Sequence, residues 1–296
     1  MTILLLGSTG QVGFELHRAL APLGRVIAPL RGQLDLGDAD GLAGALRATR
    51  PELIVNAAAW TAVDAAETER EAAFDLNARL PEQLARYAAI AGIPLVHYSS
   101  DYVYPGDGEA PWREQDATGP LSVYGESKLA GDEAVVASGA SHLIFRTSWV
   151  YSARGHNFMK TMLRLGAERD SLKVVADQIG APTPARLIAQ MTLLALYRQR
   201  LGQLLSGVYH LAPRGETSWQ GFAAEIFRVA RLLEMPLTLT PEQVAGIPTA
   251  EYPTPARRPL NSRLDVTRLE QDLGLTLPDW QSQLVLTLRE YREVGQ

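Results

Sequence analysis

The chain opens on a run of apolar residues, Ile3 to Leu6, and the stretch "FELHRALAPLG" that soon follows is apolar at Phe14, Leu16, Ala19, Leu20 and Leu23. The first has the length of a buried strand, and the second has the spacing of a helix face. The alternation then repeats. "RVIAPL" predicts a second strand, "DADGLAGALRATRP" a helix capped by Asp38 or Asp40, and "ELIVNAAA" a third strand. "EREAAFDLNARLPEQLARYAAIAG" predicts one or two helices, "PLVHYSS" a fourth strand, "GESKLAGDEAVVASG" a helix, and "HLIFRTSWVY" a fifth strand. Strands that are apolar throughout and alternate with helices make a parallel sheet covered on both faces.

After about Val150 the character changes. "GVYHLA", near 205–212, predicts one strand returning to the sheet, and "TSWQGFAAEIFRVARLL" an amphipathic helix capped by Thr217 or Ser218. "YPTPARRPLNSRLD" reads as an ordered loop, followed by tail helices at "TRLEQDLG" and "WQSQLVLTLREYREVG". The expected organisation is a nucleotide-binding domain over 1–150 and a smaller, mainly helical substrate lobe over 151–296.

Composition narrows the class. With 46% apolar and 21% charged residues the 296-residue chain is globular, and a net charge of −5 argues against a nucleic-acid partner. There are no cysteines, which removes disulfides, thiolate nucleophiles and cysteine-bound zinc. No run approaches the ~20 apolar residues of a membrane span, and "MTILLLGSTG" lacks the basic start of a secretory signal, so a soluble cytoplasmic protein is expected.

The candidate chemistry gathers at strand ends. Gly7, Gly10 and Gly13 lie between the first strand and its helix, where glycines let the backbone approach a pyrophosphate and the helix N-terminus offers free N–H groups. The spacing is G-x-x-G-x-x-G, with the first glycine one residue earlier than in the commonest dinucleotide fingerprint. This context makes the expected fold a Rossmann-type doubly wound sheet. Arg31 follows the second strand, where an NAD-selective protein often carries an acid; a guanidinium there suits a ribose 2′-phosphate, so NADPH is favoured and NADH is the alternative. "SVYGESKLAG" sets Tyr124 and Lys128 one helical turn apart, and "HYSSDYVY" brings Ser99, Ser100 and Asp101 to the same sheet edge. An ammonium beside a phenol is expected to lower its pKa from about 10 toward the working range, and a serine hydroxyl can stabilise a developing alkoxide. The five histidines show no metal-binding spacing and read as structural, while Asn77 either decorates a solvated helix or reaches the sheet edge.

In these segments the chain resembles the extended short-chain dehydrogenase/reductase superfamily, with its Tyr-x-x-x-Lys pair and upstream Ser or Thr. Within it the chain is similar to the dTDP-4-dehydrorhamnose reductase family. The matching stretches "GSTGQVG", "VNAAAWTAVDAAE", "HYSSDYV", "YGESKLAGD", "FRTSWVY", "NFMKTML", "DQIGAPT" and "YPTPARRPLNSRLD" follow in order along nearly the whole chain. The resemblance implies that Gln11, Val12 and Gly13 line the cofactor pyrophosphate, Asp35 and Leu36 the adenine, and Ala59, Trp60, Thr61 and Tyr98 the rest of the dinucleotide. It implies that Ser100 (Thr in much of the family), Asp101 and Trp149 touch a nucleotide sugar. Tyr124 would be the proton donor and Lys128 would hold the nicotinamide ribose and tune the phenol. The implied reaction is NADPH-dependent reduction of the C4 keto group of dTDP-4-dehydro-L-rhamnose. Arg258 and Asn261 are added as candidates for the nucleotide diphosphate. Some family members are described as dimers bridged by Mg²⁺ through glutamates, one at the position of Glu15. Here Arg186 stands where a second carboxylate is expected, so no metal bridge is expected and Glu15 is read as a solvated residue. A monomer or homodimer is expected. A reductase or epimerase of another nucleotide sugar, and a dinucleotide-binding regulatory subunit of the methionine adenosyltransferase type, remain the alternatives.

Overall fold

In the computed structural model, which describes residues 1–294, all six predicted strands enter one sheet. Numbering only these strands, they are β1 (Thr2–Leu6), β2 (Arg25–Ile27), β3 (Leu53–Asn56), β4 (Leu95–Ser100), β5 (His142–Thr147) and β6 (Gly207–His210). Their order is β6-β5-β4-β3-β1-β2, with every pair parallel. β2 and β3 flank β1 on opposite sides, so the winding reverses there. A crevice opens beyond the strand C-termini at such a point.

Two cores flank the sheet because β1, β3 and β4 are apolar toward both faces. Leu16 and Leu20 of helix Gln11–Ala19, with Leu187 and Ile188 of helix Ala185–Arg200, close one face. Leu42 and Leu46 of helix Ala39–Thr49, Leu84 of helix Leu80–Ala91 and Val135 of helix Val123–Ala137 close the other. Each such buried side chain contributes about 1.5–3 kcal/mol of transfer free energy. A third core, with Met159, Phe222, Phe227, Leu284 and Leu288, joins helices Phe158–Glu168, Trp219–Leu232 and Trp280–Val294 into the second lobe.

The expected division at residue 150 needs correction. Helix Ala185–Arg200, β6 and helix Thr267–Leu273 return to the first domain, where Leu187, Tyr209 and Leu269 share a core with Ile3 and Leu5. Only the return strand was legible, because its apolar run resembles the others. The amphipathic helices carry no mark of which core they face.

Local signals hold closely. Asp38 caps its helix by accepting from the N–H groups of Asp40 and Gly41, each at 3.1 Å, and Ser218 accepts from Gly221 N at 2.9 Å. The segment from Arg70 to Ala91 is helical throughout but contains one π-helical turn, Asp75–Arg79, which carries the fully buried Asn77. Insertions of this kind occur frequently at functional sites. Helix Val123–Ala137 presses against that turn at Gly131, where a Cβ would lie 2.0 Å from the Asn77 carbonyl oxygen.

Gly131→Ala is therefore expected to destabilise the protein by about 1–3 kcal/mol in urea unfolding, through overpacking. Gly44→Ala, within helix Ala39–Thr49 and with its Cβ 4.0 Å from the nearest atom, is expected to stabilise by about 0.5–1 kcal/mol. Equal effects from both would refute the close contact.

Candidate active site

The glycine turn after β1 has a backbone only glycine accepts readily. Gly7 has φ +78°, and a Cβ on Gly13 would lie 2.0 Å from the Gly7 carbonyl oxygen. The helix beginning at Gln11 has no side-chain cap and no acid in its first turn, so its leading N–H groups can meet an anion. Gly7, Arg31, Asp35, Leu36 and Trp60 line a cavity of about 450 Å³ beside this turn. Gln11, Val12, Ser100, Asp101, Tyr124, Lys128 and Trp149 line another of about 600 Å³. Gly10, Ala59 and Thr61 border both, which makes them one cleft across the switch point between β1 and β3. A bare glycine cradle, a free helix N-terminus and a continuous cleft fit a dinucleotide.

Tyr98 meets the cleft chiefly through its backbone. It borders the cleft, but its hydroxyl pairs with Thr192 Oγ1 at 2.8 Å inside the first core. Side chains alternate along a strand, and position 98 faces the helix layer opposite to that of His97 and Ser99. Its carbonyl is the part turned to use, accepting from Lys128 Nζ at 2.6 Å.

Ser100, Tyr124 and Lys128 are brought together by two elements. β4 ends at Ser100, whose Oγ donates to Asp101 Oδ1 at 2.9 Å and accepts from Tyr102 N at 3.2 Å. Helix Val123–Ala137, capped by Ser122 Oγ on Gly125 N, brings Tyr124 and Lys128 to the same cavity. Burial pushes the Tyr124 phenol well above its ordinary value, with the Ser100 hydroxyl pulling it back and Asp101 raising it further. Burial also pushes the Lys128 ammonium down to about 8, against the attraction of Asp132. Burial, not Lys128, sets the direction of the phenol in this structure, and one of the Lys128 N–H groups donates to the Tyr98 carbonyl.

On the substrate side, burial raises Asp101 to about 6, although Ser262 and Ser100 favour its charged form, and its Oδ2 has no protein partner. Trp149 forms part of the cavity wall. It has φ +49°, rare for a bulky residue, and its indole lies over Gly180, where a Cβ would be 3.0 Å from Trp149 Cε2. Trp219 stacks on it with centroids 3.8 Å apart and donates from Nε1 to Gln178 Oε1 at 3.1 Å. Trp219 borders the cavity too and went unread in the sequence, where nothing separates it from the apolar face of its helix. Arg258 lines a neighbouring cavity of about 550 Å³, pairing with Asp64 at 2.7 Å and donating to the Tyr102 hydroxyl at 3.2 Å; Tyr102 packs edge-on to Tyr124. Asn261 is a correction. It is buried, its Nδ2 donates to the carbonyls of Asp107 and Ala110, and its Oδ1 accepts from Arg263, so it braces a loop and has nothing left for a diphosphate.

Asn77 resolves toward the sheet edge. Its Oδ1 accepts from Trp60 N at 2.9 Å, and its Nδ2 donates to Trp60 O and to Ser127 Oγ, each at 3.0 Å. Glu15 is a second correction, being 7% exposed rather than solvated. The Arg186 guanidinium lies 3.7 Å from Glu15 and 2.8 Å from Glu290, so a divalent cation does not fit between them. His97 and His210 are buried and held neutral by desolvation, which pushes His210 down to about 3.

The comparisons agree with this geometry. The profile of the family described as "RmlD substrate binding domain" matches residues 1–293. The dTDP-4-dehydrorhamnose reductase of Escherichia coli K12 is 51% identical over 285 residues, covering 95% of each chain. The crystal structure of a dTDP-4-dehydrorhamnose reductase from Clostridium acetobutylicum superposes with a TM-score of 0.91 at 34% identity, covering 99% of this chain and 100% of that one. That of Bacillus anthracis, in complex with NADP, gives a TM-score of 0.87 at 32% identity over 98% and 99%. A cradle, a Ser–Tyr–Lys edge and relatives matched end to end place the chain in the dTDP-4-dehydrorhamnose reductase family.

Proposed function

We propose that the protein reduces the C4 keto group of dTDP-4-dehydro-L-rhamnose to give dTDP-L-rhamnose, with NADPH as the favoured reductant. The observation that carries this reading is one cleft bordered by the glycine turn at one end and by Ser100, Tyr124 and Lys128 at the other. When bound, NADPH supplies the hydride that the keto carbon needs. The protein's part is to hold the sugar and deliver a proton.

Tyr124 is the proton donor. Reduction turns a carbonyl oxygen into an alkoxide, and a phenol kept protonated by burial is in the form that can protonate it. Ser100 swings its O–H from Asp101 to the carbonyl oxygen and stabilises the charge developing there. Lys128, at the inner end of the cleft, binds the nicotinamide ribose. Asp101 Oδ2 accepts from a sugar hydroxyl, and Trp149, backed by Trp219, forms the apolar wall. Arg31 lies exposed at the adenosine end, where its fixed charge favours a 2′-phosphate.

The direct test follows NADPH oxidation with the keto sugar present and absent. Tyr124→Phe is expected to lower kcat by about 10²–10⁴-fold with NADPH affinity nearly unchanged; near-native turnover would remove Tyr124 as the donor. Arg31→Ala should raise the KM for NADPH while leaving that for NADH close to native, and parallel changes would refute the 2′-phosphate contact. For Asp101, kcat/KM should fall as pH drops through about 6, where the carboxylate gains its proton and ceases to be a pure acceptor. Asp101→Asn should lower the plateau and erase that limb; an unchanged acid limb would assign it to another group.

A further inference from the structure

Beneath the reactive pair lies a buried ionic cluster that the mechanism above does not use. Asp132 follows Lys128 by one helical turn and is 2% exposed. Its Oδ2 accepts from Ser99 Oγ at 2.9 Å and from Arg146 Nε at 3.0 Å. Arg146 in turn donates from Nη1 to the Tyr104 hydroxyl at 2.8 Å. The other oxygen, Oδ1, has no protein partner and lies 3.9 Å from His97 Nε2, which also has none. His97 is neutral, since burial and the nearby Lys128 charge both lower its pKa, so this is not an ion pair.

The hydrogen bonds also have a geometric sense. Lys128 Nζ donates to the Tyr98 carbonyl, and Ser99 Oγ to Asp132. Two successive residues of β4 are thereby fastened to two successive turns of the helix that carries Tyr124. Of the charged or titratable groups on elements around Lys128, His97 is neutral and Arg146 is held by Asp132, while Tyr98 and Tyr102 keep their protons. Asp101 faces the cavity and Asp64 is held by Arg258. On the adjoining helical segment Glu71 and Asp75 both pair with Arg79, and Arg70 pairs with Glu126. Asp132 is the buried anion on Lys128's own helix face.

We propose that Asp132 is a positioning residue for the reduction: its carboxylate anchors the Tyr124–Lys128 turns to β4 and supplies the negative charge that keeps Lys128 an ammonium inside the protein. Burial raises the Asp132 carboxyl, and Arg146, Ser99 and Lys128 pull it back toward the ionised form. The inference rests on the reading of Tyr124 and Lys128 as the reactive pair.

The test compares native protein, Asp132→Asn, Asp132→Glu and Arg146→Met. The Lys128 titration is followed by NMR of the labelled lysine ε-carbon, assigned with Lys128→Met, and the kcat/KM profile is recorded with NADPH and the keto sugar. In Asp132→Asn the Lys128 titration and the alkaline limb should both move to lower pH by about one unit, a tenfold effect above the new midpoint. Asp132→Glu should restore most of the native profile. Should Asp132→Asn fail to fold, Arg146→Met, which withdraws the cation that favours the ionised Asp132, should likewise move the Lys128 titration to lower pH. A Lys128 titration unmoved in the folded variants, with kcat/KM merely scaled down at every pH, would overturn the proposal. The NMR titration needs no turnover. Absence of sugar-dependent NADPH oxidation in native protein would instead sink the reactive-pair reading.

Discussion

The structure depends on one buried amide. Asn77 binds the Trp60 backbone through both its oxygen and its nitrogen and gives its remaining donor to Ser127. Three pieces of chain meet there: the loop after β3 that borders both cavities, the π-turn itself, and the helix that carries Tyr124 and Lys128. A regular α-helix through 75–79 would rotate the side chain away from this junction. The π-turn therefore costs local helix geometry and yields a fixed distance between two halves of one site. Leaving such an amide buried and unpaired would cost about 1–3 kcal/mol per group, which favours keeping the three segments joined.

The cleft beyond this joint is governed by desolvation. Removing Tyr124 and Lys128 from water disfavours the charged form of each, holding the phenol protonated and lowering the ammonium to about 8. A protonated phenol and a still mostly cationic ammonium can then coexist near neutral pH. A model built on pairwise attraction alone would predict a partly ionised phenol, which suits oxidation of an alcohol better than reduction of a ketone.

Much of this was legible in the sequence because it is local. The glycine turn, the caps at Asp38 and Ser218, the apolar strands and the Tyr–Lys spacing each act within one element, so a one-dimensional pattern can hold them. What escaped depends on where elements meet. Asn77 was ambiguous because a π-turn leaves no compositional mark. Trp219 looks like any aromatic on an amphipathic helix until Trp149 arrives from β5 to stack on it. Asn261 was misassigned because a polar residue in an arginine-rich loop reads as a ligand contact, whereas its amide is consumed by the carbonyls of Asp107 and Ala110. Glu15 was read as solvated because the sequence could name Arg186 but could not show the two side chains facing each other across packed helices.

Trp149 and Gly180 carry a last implication. The indole rests on a backbone with no side chain to spare, and Trp149 itself holds a left-handed conformation that glycine would adopt without strain. Neither position can drift alone. A methyl group at 180 would meet the ring at 3.0 Å and push it by a few tenths of an ångström, and a smaller residue at 149 would uncover the strand. Across descendants of this chain the two sites should behave as one heritable character, changing in the same step or staying as they are.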